Sequence, residues 1–466
     1  MNTTAGRSPG LPLATLLTVV LGLGLMACDT NGQACESNVD CYVGEQCVLQ
    51  TCLPQDEGDA DSPAEDAGDV GDTDDVGDAD APRDTSDTEP PEDTGDTADG
   101  DADADDQPPH PVEISVGEDH SCARLSDHTV WCWGSNLGLA LGRPSSVQSS
   151  DVPLKVEGLS GALQVVVGYR YTCARFEGGS VRCVGDDVAV AVDEGTRTDS
   201  AEPATVTLED VHALSNATYH SCAIAGAERT LHCWGRNDQG QTGASADPTL
   251  LPYEVGALSD LQVAAAGEAH TCVLSDQGDV RCIGGNNAAQ RGYDGGASTT
   301  PNTVAGLDTD ASVVELVSGS YHSCARLDNG RVRCWGNNAF GQLGREPNSP
   351  YTSAQPLEVD FPTELSGLAA GGDNTCGITP EGDAYCWGYN GTGELGDGTD
   401  EERNGPVKVI NLNNVTALAL SPVHSCALTA DHQIFCWGAN FTGTLGTGDT
   451  FSTLAPDEPV VATWED

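Results

Sequence analysis

An all-β repeat array occupying residues 111–466 is the fold class this sequence predicts, and three observations predict it. Cys122, Cys173, Cys222, Cys272, Cys324, Cys376 and Cys426 follow one another at separations of 51, 49, 50, 52, 52 and 50 residues. Self-similarity at a period near 50 residues indicates a propeller or a solenoid. Each of these cysteines is followed ten or eleven positions later by a second one, at Cys132, Cys183, Cys233, Cys282, Cys334, Cys386 and Cys436. Between the members of each pair lies a hairpin signature, apolar residues flanking a short turn that holds glycine or histidine.

The chain before this array divides into three further segments. A single basic residue, Arg7, precedes an apolar run from Leu11 to Ala27 that ends in Leu25-Met26-Ala27-Cys28. The run has the length of a signal h-region and is marginal for a membrane span. Its end resembles a bacterial lipobox, so residues 1–27 are expected to be a lipoprotein signal peptide and Cys28 its lipid attachment site. Acyl chains on Cys28 would hold the exported protein to a membrane, inner or outer, with Asp29 as a sorting determinant. The 19 cysteines agree with export, since disulfides persist in oxidising compartments.

Residues 28–54 carry Cys35, Cys41, Cys47 and Cys52 in a stretch too short for a core and are expected to form a small disulfide knot. Four cysteines allow three connectivities, and the spacing does not choose among them. Zinc is the competing reading, but no tight C-x2-C pair and no nearby histidine support it. Residues 55–110 form an Asp-rich linker. From Asp56 to Asp106 there are 23 acidic residues and one basic residue, Arg83, which predicts a disordered, self-repelling chain. A random coil of this length would span roughly 40 Å, and repulsion extends it. Asp99, Asp101 and Asp103 match the start of a calcium loop, but Ala104 and His110 occupy the positions that require glycine and glutamate. No metal site is assigned there.

Within the array, the pairs Cys272/Cys282 and Ser275/Asp279 are concentric about Asp276-Gln277-Gly278, which predicts a three-residue hairpin loop with glycine at a left-handed position. Gly179, Gly330 and Gly382 take that place in other repeats, and His128 and His432 in the first and last. The third repeat has one additional residue at its tip. Each cysteine pair therefore faces itself across a hairpin, and seven disulfides within the repeats are expected, each contributing about 2 to 3 kcal/mol in the chain-entropy model.

The residues around these cysteines carry a family resemblance. His322-Ser323-Cys324-Ala325, Cys334-Trp335-Gly336-Asn337-Asn338, Gly341-Gln342-Leu343-Gly344 and the later Pro356 resemble the repeat of the regulator of chromosome condensation family. Trp133-Gly134, Trp234-Gly235, Trp387-Gly388 and Trp437-Gly438 stand at corresponding places. The fourth repeat has Ile283-Gly284 instead, and the second has Val184-Gly185 and then departs from the pattern. The resemblance implies a seven-bladed β-propeller of four-stranded blades around an axial channel; the signal peptide, the Cys-rich knot and the acidic linker read above precede it. Ring closure is expected to pair Val112–Val116 with strand residues at 459–463.

A net charge of −54 excludes a phosphate-binding surface, because nucleic-acid recognition relies on clustered lysine and arginine. His120, His220, His270, His322 and His424 recur at one repeat position, replaced by Tyr171 and Asn374. A residue repeated around a ring is read as a blade-building hydrogen-bond donor, and the recurrent tryptophans as packing. Asp328 and Gly330 hint at the Asp-box of sialidase propellers, but Trp335 stands five residues after the glycine instead of three. No catalytic residue, metal site or cofactor is assigned. The expected function is a monomeric, non-enzymatic binding scaffold of the cell envelope, meeting an extracellular or periplasmic protein or glycan through the loops at Arg143–Val152, Gly195–Pro203 and Arg345–Gln355. The resemblance supplies a precedent in a secreted bacterial relative that inhibits β-lactamase through one propeller face. The alternatives are a glycan-active enzyme and the nucleotide-exchange activity of the eukaryotic namesake, which export to a nucleotide-poor compartment argues against.

Overall fold

The computed structural model describes residues 45–48, 51–54, 107–186, 199–307, 311–346, 350–361, 363–461 and 464. The chain divides into two compact units, Met1–Asp99 and Gly100–Asp466. In the first, Glu45–Val48 pairs antiparallel with Thr51–Pro54 and Cys47 stands opposite Cys52. Cys28, Cys35, Cys41, the signal segment and the linker through Asp106 lie outside the described residues. No helix among the described residues is long and apolar enough to cross a membrane.

The second unit is the seven-bladed propeller. Blade 1 comprises Pro111–Val116, His120–Leu125, Val130–Ser135 and Ser149–Lys155, paired in that order as an antiparallel meander from inside to outside. Blades 2 to 6 repeat this plan, with inner strands Ala162–Val167, Val211–Asn216, Leu261–Ala266, Val313–Ser318 and Gly367–Gly371. Blade 7 begins with Val415–Leu420, and its fourth strand is reduced to two bridges, Gly438 to Thr453 and Phe435 to Pro459. Neighbouring inner strands touch all the way round, including that of blade 7 against that of blade 1.

Burial explains why each strand has its composition. The second strand of a blade, such as His322–Leu327, is covered on both faces by adjoining blades and is buried almost throughout. Small and apolar side chains are therefore required on both sides of it. The inner strand of blade 1 buries Pro111 and Ile114, its alternation displaced by a bulge between Pro111 and Glu113, and the outer strand is half exposed. The core consequently lies between blades: Val130, Leu141 and Leu159 pack with Val165, Ala174 and Val184 across the first junction.

The expected hairpins form with the expected register. All seven cysteine pairs are opposed across their hairpins and bonded, with α-carbons 4.0 to 4.1 Å apart. Among the described residues no cysteine is free. At the tips, Gly278 has φ +80° and Gly382 φ +82°, while His128 and His432 adopt the same left-handed conformation at 65° and 61°. A Cβ on Gly382 would stand 2.8 Å from the α-carbon of Asn414, so the tip of blade 6 also needs glycine for space. In blade 3, Ala225 pairs with Thr230 and the additional residue is absorbed in a four-residue tip. Mass spectrometry of nonreduced digests is expected to return the fourteen propeller cysteines as seven linked peptide pairs; alkylated thiols at these positions in the folded protein would overturn the assignment.

Ring closure differs from expectation. Pro111–Val116 pairs with His120–Leu125 as the inner strand of blade 1, and Pro459 bridges Phe435 within blade 7. The two ends share no ladder among the described residues, because each blade is folded from one consecutive repeat that starts with its inner strand. The joint between blades 7 and 1 is instead a packed one. Ile114, Ala123 and Trp133 meet Leu428, Ile434 and Leu445, and hydrogen bonds described below cross the same boundary.

Candidate binding face

Every blade is tied to the next by a recurring set of buried hydrogen bonds, and these fix the loops at one end of the axis. The histidine that opens the second strand reaches the hydroxyl residue at the following position of the next blade: His120 Nε2 lies 2.8 Å from Thr172 Oγ1, His220 from Thr271, His270 from Ser323, His322 from Thr375 and His424 from Ser121. Thr172, Thr271, Thr375 and Ser121 already donate to main-chain carbonyls. Their protons are thereby committed, so the imidazole Nε2–H is the donor. These rings are neutral: burial pushes His120, His220, His270 and His424 down to about 3 and His322 to about 4.

Tryptophan completes the joint. Trp133, Trp335, Trp387 and Trp437 are fully buried and donate Nε1–H to the carbonyls of Thr444, Gln290, Gln342 and Glu394 in the preceding blade. The oxygen of Gln342 receives both Thr375 and Trp387, and that of Glu394 both Ser425 and Trp437. Thus the Gly-x-Leu-Gly segment of one blade supplies the acceptor for the next. An asparagine shapes that segment: Asn338 Oδ1 accepts from Leu343 N at 3.1 Å, and Asn136, Asn390 and Asn440 do the same for Leu141, Leu395 and Leu445.

Two blades depart from the histidine pattern. Tyr171 substitutes effectively, accepting from Ser221 Oγ at 2.9 Å. Asn374 is too short: its side chain is fully buried, and neither amide atom finds a partner. An orphaned buried amide costs about 1 to 3 kcal/mol. Asn374→His is therefore expected to restore the bond to Ser425 and stabilise the protein by about 1 kcal/mol in urea unfolding; a destabilised variant would show that the joint between blades 6 and 7 cannot admit the ring.

Strand alternation puts two sets of loops on one face, those from inner to second strand and those from third to outer strand. The last two positions before the residue that begins each second strand are Glu118-Asp119, Tyr169-Arg170, Thr218-Tyr219, Glu268-Ala269, Ser320-Tyr321, Gly372-Asp373 and Pro422-Val423. They surround a narrow axial opening of about 90 Å³. It widens outward into a cavity of about 500 Å³ whose wall includes Phe340 and Tyr389 from the outer loops. The flanking positions keep the repeat while these pairs vary in size, polarity and charge. Symmetry breaks here.

The mouth is electrically divided. On one side Tyr321 donates its hydroxyl to Glu268 at 3.0 Å, Asp373 accepts from Gln342 Nε2 at 2.9 Å, and Phe340 meets Tyr389 edge-on with centroids 5.1 Å apart. Burial raises the Glu118 carboxyl, as do Asp119 and Glu268; burial likewise raises Asp373, with Glu268 adding to it. Burial and the neighbouring Glu268 push the Tyr321 phenol up to about 12. On the other side Arg170 lies over the Tyr169 ring at 4.6 Å and Arg236 over Tyr219 at 5.3 Å, beside a second cavity of about 370 Å³. Arg236 is paired with Asp238 at 2.8 Å.

Of the residues singled out from sequence, the recurrent histidines and tryptophans fall in the joints, the propeller cysteines bond across the middle hairpin of their own blade, and His128 and His432 stand at hairpin tips. Asp328 and Gly330 sit at a hairpin tip on the opposite face, and Trp335 is buried away from them, so no Asp-box geometry arises. Arg143–Val152 lies on the same face as the mouth. The loop segments 187–198 and 347–349 fall outside the described residues, and with them parts of the other two loops. Sequence reasoning missed the mouth itself. Its signal was present as chemical variety between constant flanks, in a loop whose constant length drew no notice.

Comparison with known proteins agrees with this architecture. Models of the regulator of chromosome condensation (RCC1) repeat match residues 112–137, 262–290, 313–342, 366–394 and 415–444, and a second model of the same repeat matches 127–175, 329–378 and 381–428. Protein pim1 of Schizosaccharomyces pombe is 28% identical over 335 residues, covering 62% of this chain and 61% of that protein. The ultraviolet-B receptor UVR8 of Arabidopsis thaliana is 27% identical over 319 residues, covering 66% and 72%. The human probable E3 ubiquitin-protein ligase HERC4 is 31% identical over 199 residues, but these make up 18% of its length and 41% of this chain. Among solved structures, human WBSCR16 superposes with a TM-score of 0.65 at 21% identity, covering 72% of this chain and 95% of its own. Prp20p of Saccharomyces cerevisiae gives 0.61 at 22%, covering 66% and 80%. These likenesses establish the fold, and the relatives' differing names select no single activity. The second unit of this chain is a seven-bladed propeller that contains regulator of chromosome condensation repeats.

Proposed function

We propose that this protein is a non-catalytic binding module that is exported, held to a membrane through a lipid on Cys28, and engages a protein or glycan outside the cell through the face bearing the axial mouth. One observation carries the reading: variety is concentrated in the paired residues around the mouth, on a frame that otherwise repeats. A rigid ring that holds varied side chains around one opening is the arrangement of a recognition surface. The recurrent histidines support it from the other side, since they are neutral, buried and occupied in joining blades.

Affinity capture from envelope and extracellular fractions with the whole chain tests this. A partner is expected that is lost with Tyr219→Ala or Phe340→Ala and kept with Gln277→Ala at a hairpin tip on the opposite face. Retention by both mouth variants would move binding off this face. Export has its own test, because Cys28→Ser is expected to abolish incorporation of labelled palmitate and release the protein from membranes.

A further inference from the structure

The cavity over the axial opening combines two features that are complementary to one kind of chemical group. Its wall holds three carboxylates, Glu118, Glu268 and Asp373, and the rings of Tyr219, Tyr321, Phe340 and Tyr389, and no lysine or arginine lines it. Each carboxylate is partly withdrawn from water beside the others, a costly arrangement that an incoming positive charge relieves. The aromatic faces add cation–π attraction and a surface for an apolar stem. The two arginines of the mouth stand outside this wall, Arg170 stacked on Tyr169 and Arg236 lying over the outer side of the mouth against Tyr219 and paired with Asp238.

Depth adds a further constraint. Asn216 ends the inner strand of blade 3 and lines the narrow channel that continues from the cavity floor. Both atoms of its amide are withdrawn from solvent and lack a protein partner. The channel is too narrow for a folded element or a sugar ring. A slender chain with a charged, hydrogen-bonding tip fits: its stem lies against the aromatic wall, its charge among the carboxylates, and its tip toward the Asn216 amide.

We infer that the axial mouth receives a lysine or arginine side chain presented by a protein partner. This rests on the reading that the mouth is the binding face, and names the chemical class it recognises. The neighbouring Arg170 and Arg236 give the rim the opposite sign on one side, so a partner segment that places a basic residue beside an acidic one matches both halves of the mouth.

The test is equilibrium binding of a dye-labelled tetralysine peptide to the whole chain at physiological salt, followed by fluorescence anisotropy. The acidic linker attracts any polycation, so mouth variants carry the decision. Glu268→Gln, nearly isosteric, and Tyr389→Leu are each expected to weaken binding at least fivefold, and the double variant more than tenfold. Glu228→Gln, at a hairpin tip on the opposite face, is expected to change it less than twofold, and acetylation of the peptide lysines to abolish it. Equal binding by wild type and the double variant, with circular dichroism unchanged, would overturn the inference. Spermidine binding tighter than the peptide would also overturn it, by assigning the mouth to a small polycation. If the mouth variants lose a captured partner but leave peptide binding unaltered, the binding face stands and the chemical class falls.

Discussion

Lowering the pH from 7 to 5 is expected to destabilise the propeller by several kcal/mol. The five buried histidines of the joints are held neutral, at about 3 or 4 in the folded state against an ordinary value near 6.5. Below about 6.5 the unfolded chain takes up protons that the folded ring refuses, so stability falls with pH and goes on falling until the folded histidines themselves titrate. At pH 5 each contributes on the order of 1 to 2 kcal/mol to the loss. The raised carboxyls of Glu113, Glu118, Asp119, Asp199, Asp373 and Glu394 work in the opposite direction, since they favour the folded state as they protonate. Their shifts are smaller than those of the histidines, and Asp238, Asp276, Glu358 and Asp397, held below the ordinary carboxylate value, lose stability on acidification together with the histidines, so the net sign is destabilising. Urea midpoints measured from pH 7.5 to pH 4.5 give the curve. His322→Gln is expected to flatten it by about one fifth, and a curve that rises on acidification would contradict neutral histidines in the joints.

Replacement of Trp387 by alanine is expected to cost about 3 to 5 kcal/mol. This side chain is wholly buried, packs with Leu343 and Val359 of blade 5, and donates to the Gln342 carbonyl at 3.0 Å. Phenylalanine in its place keeps much of the packing and loses the donor. That change is expected to cost less, about 1 to 2 kcal/mol, because the Gln342 oxygen still accepts from Thr375. A Trp387→Ala variant within 1 kcal/mol of wild type in urea unfolding would mean that the blades adhere through something other than these contacts.

Much of this architecture was legible from spacing. The cysteine arithmetic located seven hairpins, their registers and the left-handed tips, including His128 and His432, because strand pairing has a period of two and a hairpin admits only one centre. The histidines were readable as donors for a reason of symmetry, although their acceptors, about 50 residues away in the next blade, were not. Closure was misjudged because a partial repeat at each end resembles two halves of one sheet, and nothing local in Pro111–Val116 reveals which neighbour it will pair with. The mouth was hidden for a different reason. Glu118, Glu268 and Asp373 are ordinary acidic residues in a chain with 73 of them, and only the ring brings them together with Tyr321 and Phe340. The length of a loop marks it in a sequence, whereas convergence of short loops on an axis is a property of the closed fold.

The joint between blades 7 and 1 has the same parts as those between blades 4 and 5 and blades 5 and 6: a histidine bonded to the hydroxyl of the next blade, a tryptophan donating backward, and an apolar seam. These bonds have one sense around the ring: a blade's carbonyl accepts from the hydroxyl and tryptophan of its successor, and its histidine donates to that same hydroxyl. A ring assembled in this way has a direction of circulation but no starting point. The order in which the blades are synthesised is therefore a matter of where the gene begins, and a circular permutant opened between any two blades would contain the same joints. The frame repeats from blade to blade while the paired residues around the axis differ, so the parts that hold the ring together and the parts that line its mouth are separate sets of residues.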